Sequence, residues 1–131
     1  MATGLAPAIA QAILDALCRS VAWTEPAAFY VKLHTADPGA TGANAAFGDT
    51  TRKAATFAAA AADGTITTSA DMNWTNVSAN GTVTHVSFWD ASSGGNFLGS
   101  DDLAVSRTLA IGDNFTILAG DVDLSFGPIA A

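Results

Sequence analysis

Pro26 separates two hydrophobic periods in this chain that no single kind of regular element can satisfy. Ahead of it, Leu5, Ile9, Ile13 and Leu17 recur every four residues, and Leu14 and Val21 widen the stripe into one face of an α-helix. Pro7 suits a first helical turn and Thr3 stands where a capping hydroxyl belongs, so the pattern predicts a helix over 5–22. Asp15 and Arg19 form its one i,i+4 ion pair, and much of the remaining surface is alanine. A helix so poor in charge is expected to be covered on both sides. The one cysteine, Cys18, has no partner for an internal disulfide and reads as a small core residue.

Glu25-Pro26 should break that helix. Beyond it, Phe29, Val31 and Leu33 alternate with Tyr30, Lys32 and His34, which is the period of a strand. Further candidate strands lie at 53–59, 64–68, 72–77, 82–90, 96–100, 106–110, 114–118 and 122–126, with Gly, Asn, Asp and Ser between them. The expectation is a single, mainly β domain: an antiparallel β-sandwich or jelly-roll-like unit over 26–131, preceded by one N-terminal α-helix within 1–25. Two stretches are less regular. Residues 35–51 open with Asp37-Pro38-Gly39 turn chemistry and read as a long loop, a candidate contact arm. The alanine run within 57–62 fits a helical turn and a strand edge equally well.

Composition narrows the function. Of 65 apolar residues, 29 are alanine, which leaves 36 to fill a core in 131 residues. Only 13% are charged, about half the usual quarter. Mean hydropathy is +0.32, so part of the surface is expected to lie against other subunits. Twelve acids against five bases give a net charge of −7, which argues against nucleic acid as a partner. The first residues carry no basic leader, and Gln11 and Asp15 interrupt the apolar stretch over 5–17, so neither an export signal nor a membrane span is expected.

The side chains that carry chemistry are sparse. His34 and His85 are the only histidines, too few for a zinc site, and read as strand residues making a hydrogen bond or facing an interface. Asp101-Asp102 and Asp121/Asp123 could supply oxygen ligands to calcium or a carboxylate pair, but their alternation with apolar residues favours a solvated strand face; no cofactor is expected. A small hydrolase built on His85 and Asp90, or on Asp101/Asp102, is the least favoured reading, since no nucleophile motif accompanies them. Trp23, Phe29, Tyr30, Trp74, Phe88 and Trp89 could form a sugar platform, against the plainer reading of core or subunit contact. Phe88 and Trp89 are adjacent, so one must face outward.

Three runs, FYVKLHTADPGATG from Phe29, GTVTHVSFWDASSGG from Gly81 and LAIGDNFTILAGDVDL from Leu109, resemble a family of small virion proteins of tailed bacteriophages and prophages. The resemblance covers most of the chain after Pro26. It departs at Asp49-Thr-Thr-Arg-Lys-Ala, where many relatives have a Gly-Ser-Tyr-Ala-Arg-like stretch. Members are tail-fibre-like or minor capsid proteins. The resemblance implies a virion component made in the host bacterial cytoplasm, with no catalytic residues. Combined with the composition, it gives a first expectation of a capsid decoration or minor capsid protein. Such a protein would act as a homo-oligomer, with a trimer foreseen, against a major capsid protein. The second expectation is a tail fibre or baseplate component, assembled with tail proteins and contacting host polysaccharide. The expected interface residues are Leu5, Ile9, Ile13, Leu17, Pro38, Phe47 and Trp89.

Overall fold

The computed structural model describes residues 4–62 and 64–125. It is mainly β, with one helix, α1 (Pro7–Arg19), and strands β1 (Gly4–Leu5), β2 (Tyr30–His34), β3 (Lys53–Ala54), β4 (Thr65–Thr67), β5 (Met72–Trp74), β6 (Gly81–Trp89), β7 (Phe97–Leu109), β8 (Phe115–Ile117) and β9 (Asp123–Ser125). Five form an antiparallel sheet in the order β1-β7-β6-β2-β3, while β5 pairs with β8 and β4 with β9.

Alternation dictates which residues turn inward. Val31 and Leu33 on β2 and Val83, Val86 and Phe88 on β6 are fully buried. They join Met72, Trp74, Phe115 and Ile117 of the β5–β8 pair in one apolar cluster, while Asn73 and Thr116 between them face out and hydrogen-bond at 2.6 Å. Trp74 and Phe115 lie with ring centroids 5.8 Å apart, and the Trp74 indole donates to Thr51 O at 2.8 Å. A buried indole therefore keeps its one polar atom satisfied.

Several expectations need correction. The helix begins at Pro7 after Ala6, without a side-chain cap, because Gly4 and Leu5 instead pair with Ser100 and Gly99 of β7. It ends at Arg19, where Ser20 takes the left-handed conformation (φ 56°). Thr3 and Phe126 lie outside the described residues. Cys18 is exposed, because α1 buries none of its residues. Strand β3 stops at Ala54, far short of 59, and the alanine run lies along β4 instead, through an isolated Phe57–Thr68 bridge and backbone bonds from Ala58 N–H to Thr67 O (3.0 Å) and Ala61 N–H to Thr65 O (2.8 Å). The candidates at 96–100 and 106–110 are two halves of β7: Val83 faces Arg107 but His85 faces Asp102, so two steps on β6 match five on β7, and a bulge separates the halves.

The loop over 35–51 is folded down and is not a free arm. Thr35 N–H donates to Ala45 O (2.8 Å), Asn44 N–H to Pro38 O (3.1 Å) and Phe47 N–H to Leu33 O (3.0 Å). Asp49 accepts backbone N–H groups from Thr51 and from Ser78, both at 3.1 Å, which ties the loop to the approach to β6. Burial alone would push the Asp49 carboxyl up; those hydrogen bonds, with Lys53 nearby, outweigh it and hold the group below the ordinary carboxylate value. Phe47 is 1% exposed and Pro38 is buried, so neither offers an interface surface. At Gly42 the φ of +73° and a phantom Cβ 2.5 Å from the Phe97 ring leave room for glycine alone.

Candidate functional site: the face of α1 and the cleft beside it

The inward side of α1 is only partly covered. Ile9 packs against the core, and Leu5, Ile9 and Ile13 line a shallow groove of about 380 Å³ with Pro26, Phe29 and Leu98. Further along the helix, Leu14 is 58% exposed and Leu17 77%. Asp15 and Arg19 pair at 3.3 Å, as the i,i+4 spacing predicts. Of the expected interface residues, Leu5, Ile9 and Ile13 thus stand half-buried, while Leu17, one turn beyond Ile13 along the same stripe, stands exposed.

Trp89 is half-buried. Phe88 before it points into the core, so Trp89 faces out, where the Arg52 guanidinium lies 4.2 Å from its ring centroid and the Phe97 ring 5.4 Å away. Its indole N–H donates to Ser87 Oγ at 2.7 Å. Ser87 Oγ also lies 2.7 Å from His34 Nε2, and His34 Nδ1 lies 2.8 Å from Asn44 O. A carbonyl only accepts, so the neutral His34 carries its proton on Nδ1 and its Nε2 accepts a hydrogen bond from the Ser87 hydroxyl. The resulting relay runs from Trp89 through Ser87 and His34 to Asn44. A serine and a histidine in this arrangement resemble a hydrolytic pair, but both are fully buried and no substrate can reach them. Desolvation pulls the His34 pKa down; the hydrogen bond to Asn44 acts in the opposite sense without overcoming it.

The other sequence candidates do not converge. His85 and Asp90 are five residues apart along β6 and its end, roughly 16 Å in an extended strand. Adjacent on β7, Asp101 and Asp102 point to opposite sides of the sheet. Among the described residues no group of three His, Cys, Asp or Glu side chains could hold a metal; the Asp123 side chain lies outside them. No helix among them is long and apolar enough to cross a membrane.

An open cleft of about 730 Å³ lies between the first turn of α1, the segment after the helix, and the β6–β7 turn. Trp23, Thr24, Glu25, Thr41, Asp90 and Asn96 supply its polar and aromatic lining. The turn is built around Asp90, which receives the Asn96 backbone N–H at 2.7 Å and its side-chain amide at 2.9 Å. These bonds from Asn96, with Arg52 nearby, hold the Asp90 carboxyl below the ordinary value. Arg52 fastens the same turn by donating to Ala91 O (2.9 Å) and Gly94 O (2.7 Å). Sequence reasoning singled out Trp23 and Asp90, but missed Asn96 and Glu25 as companions. The Asp-Ala-Ser-Ser-Gly-Gly-Asn spacing, with an Asx residue at each end of a glycine turn, is the local signal for the first of these.

A family model described as podophage GP4 fiber I protein gp80 matches residues 4–125. Comparison with curated proteins finds no match.

Proposed function

This chain belongs to the podophage GP4 fiber I protein gp80 family, and on that premise we propose that it is a building block of a phage fibre, joined to further copies of itself through the outward face of α1. Membership in a phage fibre family makes it a virion structural protein. The carrying observation is the exposure of Leu14 and Leu17 on a helix that buries no residue. An isolated helix of 13 residues is marginal in water, so α1 gains most from being packed. It also holds one acid and one base, and is therefore neutral in a chain of net charge −7. Copies can meet there without the repulsion the rest of the surface would bring. A trimer closed about a threefold axis is the expected form, and its work is contact, with no reaction performed.

Capsid decoration relies on the same contact physics and differs in position. Labelled antibody on intact particles should mark the tail; label distributed over the head overturns the fibre reading. Light scattering on the purified chain should give a multiple of 13.2 kDa that collapses to one copy in the Leu14→Glu/Leu17→Glu double variant. A wild-type chain that stays at one copy at every concentration removes the self-association.

A further inference from the structure

The three tryptophans are not equivalent. Trp74 and Trp89 each spend the indole N–H inside the protein, on Thr51 O and Ser87 Oγ. Trp23 has no acceptor among the described residues, and the residue, 37% exposed, lines the wall of the 730 Å³ cleft. On the same cleft, Asn96 has its amide nitrogen committed to Asp90, and its side-chain carbonyl has no donor among the described residues. The Glu25 carboxylate and the Thr24 and Thr41 hydroxyls likewise make no hydrogen bond to described residues.

The cleft thus offers one flat apolar ring with a free donor, next to unspent acceptors and hydroxyls on a turn that Arg52 has already locked. A pyranose matches this set, because its ring C–H groups form an apolar face and its rim is hydroxyl. Charge narrows the class. Glu25 and Asp90 are both carboxylates, while the Arg52 Nη1 is committed to Ala91 and Gly94 and its face to Trp89. An anionic sugar would meet repulsion without a free cation to offset it. An entirely apolar ligand would strand the polar lining. The volume lies within the range of small-molecule sites, roughly 300–1,000 Å³.

We propose that this cleft binds an uncharged pyranose unit of a surface glycan, with Trp23 as the stacking platform and Asn96 as the hydroxyl-binding amide. A single open site of this kind has a dissociation constant on the order of millimolar. Repetition along a fibre lowers the apparent dissociation constant by ~10²–10⁴. The inference goes beyond the fibre assignment, since it concerns what the isolated chain binds and not where it sits.

The test is a nitrogen–proton NMR titration of the full-length protein with glucose, galactose and N-acetylglucosamine, and with glucuronate as the charged counterpart. The Trp23 indole signal, identified by its absence in Trp23→Phe, should shift saturably with at least one uncharged sugar and stay still with glucuronate. Trp23→Ala and Asn96→Ala, followed through backbone amides of the β6–β7 turn, should each weaken binding roughly tenfold. Both residues lie outside the apolar core, and a dispersed amide spectrum verifies that each variant folds. The proposal is overturned if no sugar in the set gives a saturable shift, if glucuronate binds as well as the neutral sugars, or if Trp23→Ala binds undiminished. Label over the capsid would refute the fibre reading and leave a positive titration standing; a negative titration would leave tail labelling standing.

Discussion

Strand β6 and helix α1 are both among the longer elements of the chain, and they are finished in opposite ways. Along the nine residues of β6, Val83, Val86, Ser87 and Phe88 are fully buried, and β2 and β7 satisfy both of its margins. Along the 13 residues of α1 nothing is buried, although its apolar stripe is as regular as that of any strand. The difference lies in what surrounds each element. The chain supplies β6 with neighbours on both margins and a core beneath, whereas it gives α1 one shallow groove and leaves Leu14 and Leu17 bare. A regular hydrophobic pattern announces that a surface will be covered, and it does not say by which chain.

Mutations can break this contrast. The largest effect is expected at Phe88→Ala, which should cost ~3–5 kcal/mol by urea unfolding, since the ring packs on Phe29 at 5.0 Å in a site without solvent access. A loss below about 1 kcal/mol would mean that β6 tolerates a void as a surface element does. Next comes Asp49→Ala, which strands the Thr51 and Ser78 N–H groups and should cost ~1–3 kcal/mol, with Asp49→Asn recovering part of it.

Smaller and pH-dependent is the contribution of His34. Its folded pKa lies below the ordinary 6.5, so the unfolded chain takes up a proton that the native chain refuses. Stability from this group is therefore complete above about pH 7 and declines as the pH falls through 6.5 toward the lower folded value. Melting temperatures taken between about pH 7 and 5 should slope downward in the wild type and less so in His34→Gln. An equal slope in both would remove His34 as the cause. Asp49 and Asp90, also held below their ordinary 3.8, add a further loss only under more acid conditions. The smallest effect on unfolding is expected for Leu17→Ser, within about 0.5 kcal/mol in dilute protein, because the side chain is already 77% exposed. A larger loss under those conditions would show that α1 is completed within its own chain after all.

Much of the sheet was legible because its signal is local. Strands β2 and β6 fall within one residue of their expected limits, and β5 and β8 follow the alternation of Met72, Trp74, Phe115 and Ile117. What escaped is non-local. Two residues, Gly4 and Leu5, are too short for any period, and only the presence of β7 makes them a strand. The polar, glycine-rich setting of Phe47 reads as surface, yet the loop folds back and delivers that ring to the core. The cleft unites Trp23, Thr41 and Asn96, whose separation along the chain leaves no spacing to read. The helix start was misplaced for a related reason: a stripe that includes Leu5 continues smoothly into α1, but its first member serves the sheet.

The margins of the five-stranded sheet carry one more consequence. β1 and β3 are two residues each, and among the described residues β1 covers β7 only at Gly99 and Ser100. A long strand with so short a neighbour has the kind of border through which sheets of separate molecules zip into aggregates. Asp101, Asp102 and Arg107 punctuate it, and the mismatch opposite Thr84 bends it out of line. Charges and a bend along such a border keep the sheets of neighbouring molecules from fusing strand to strand.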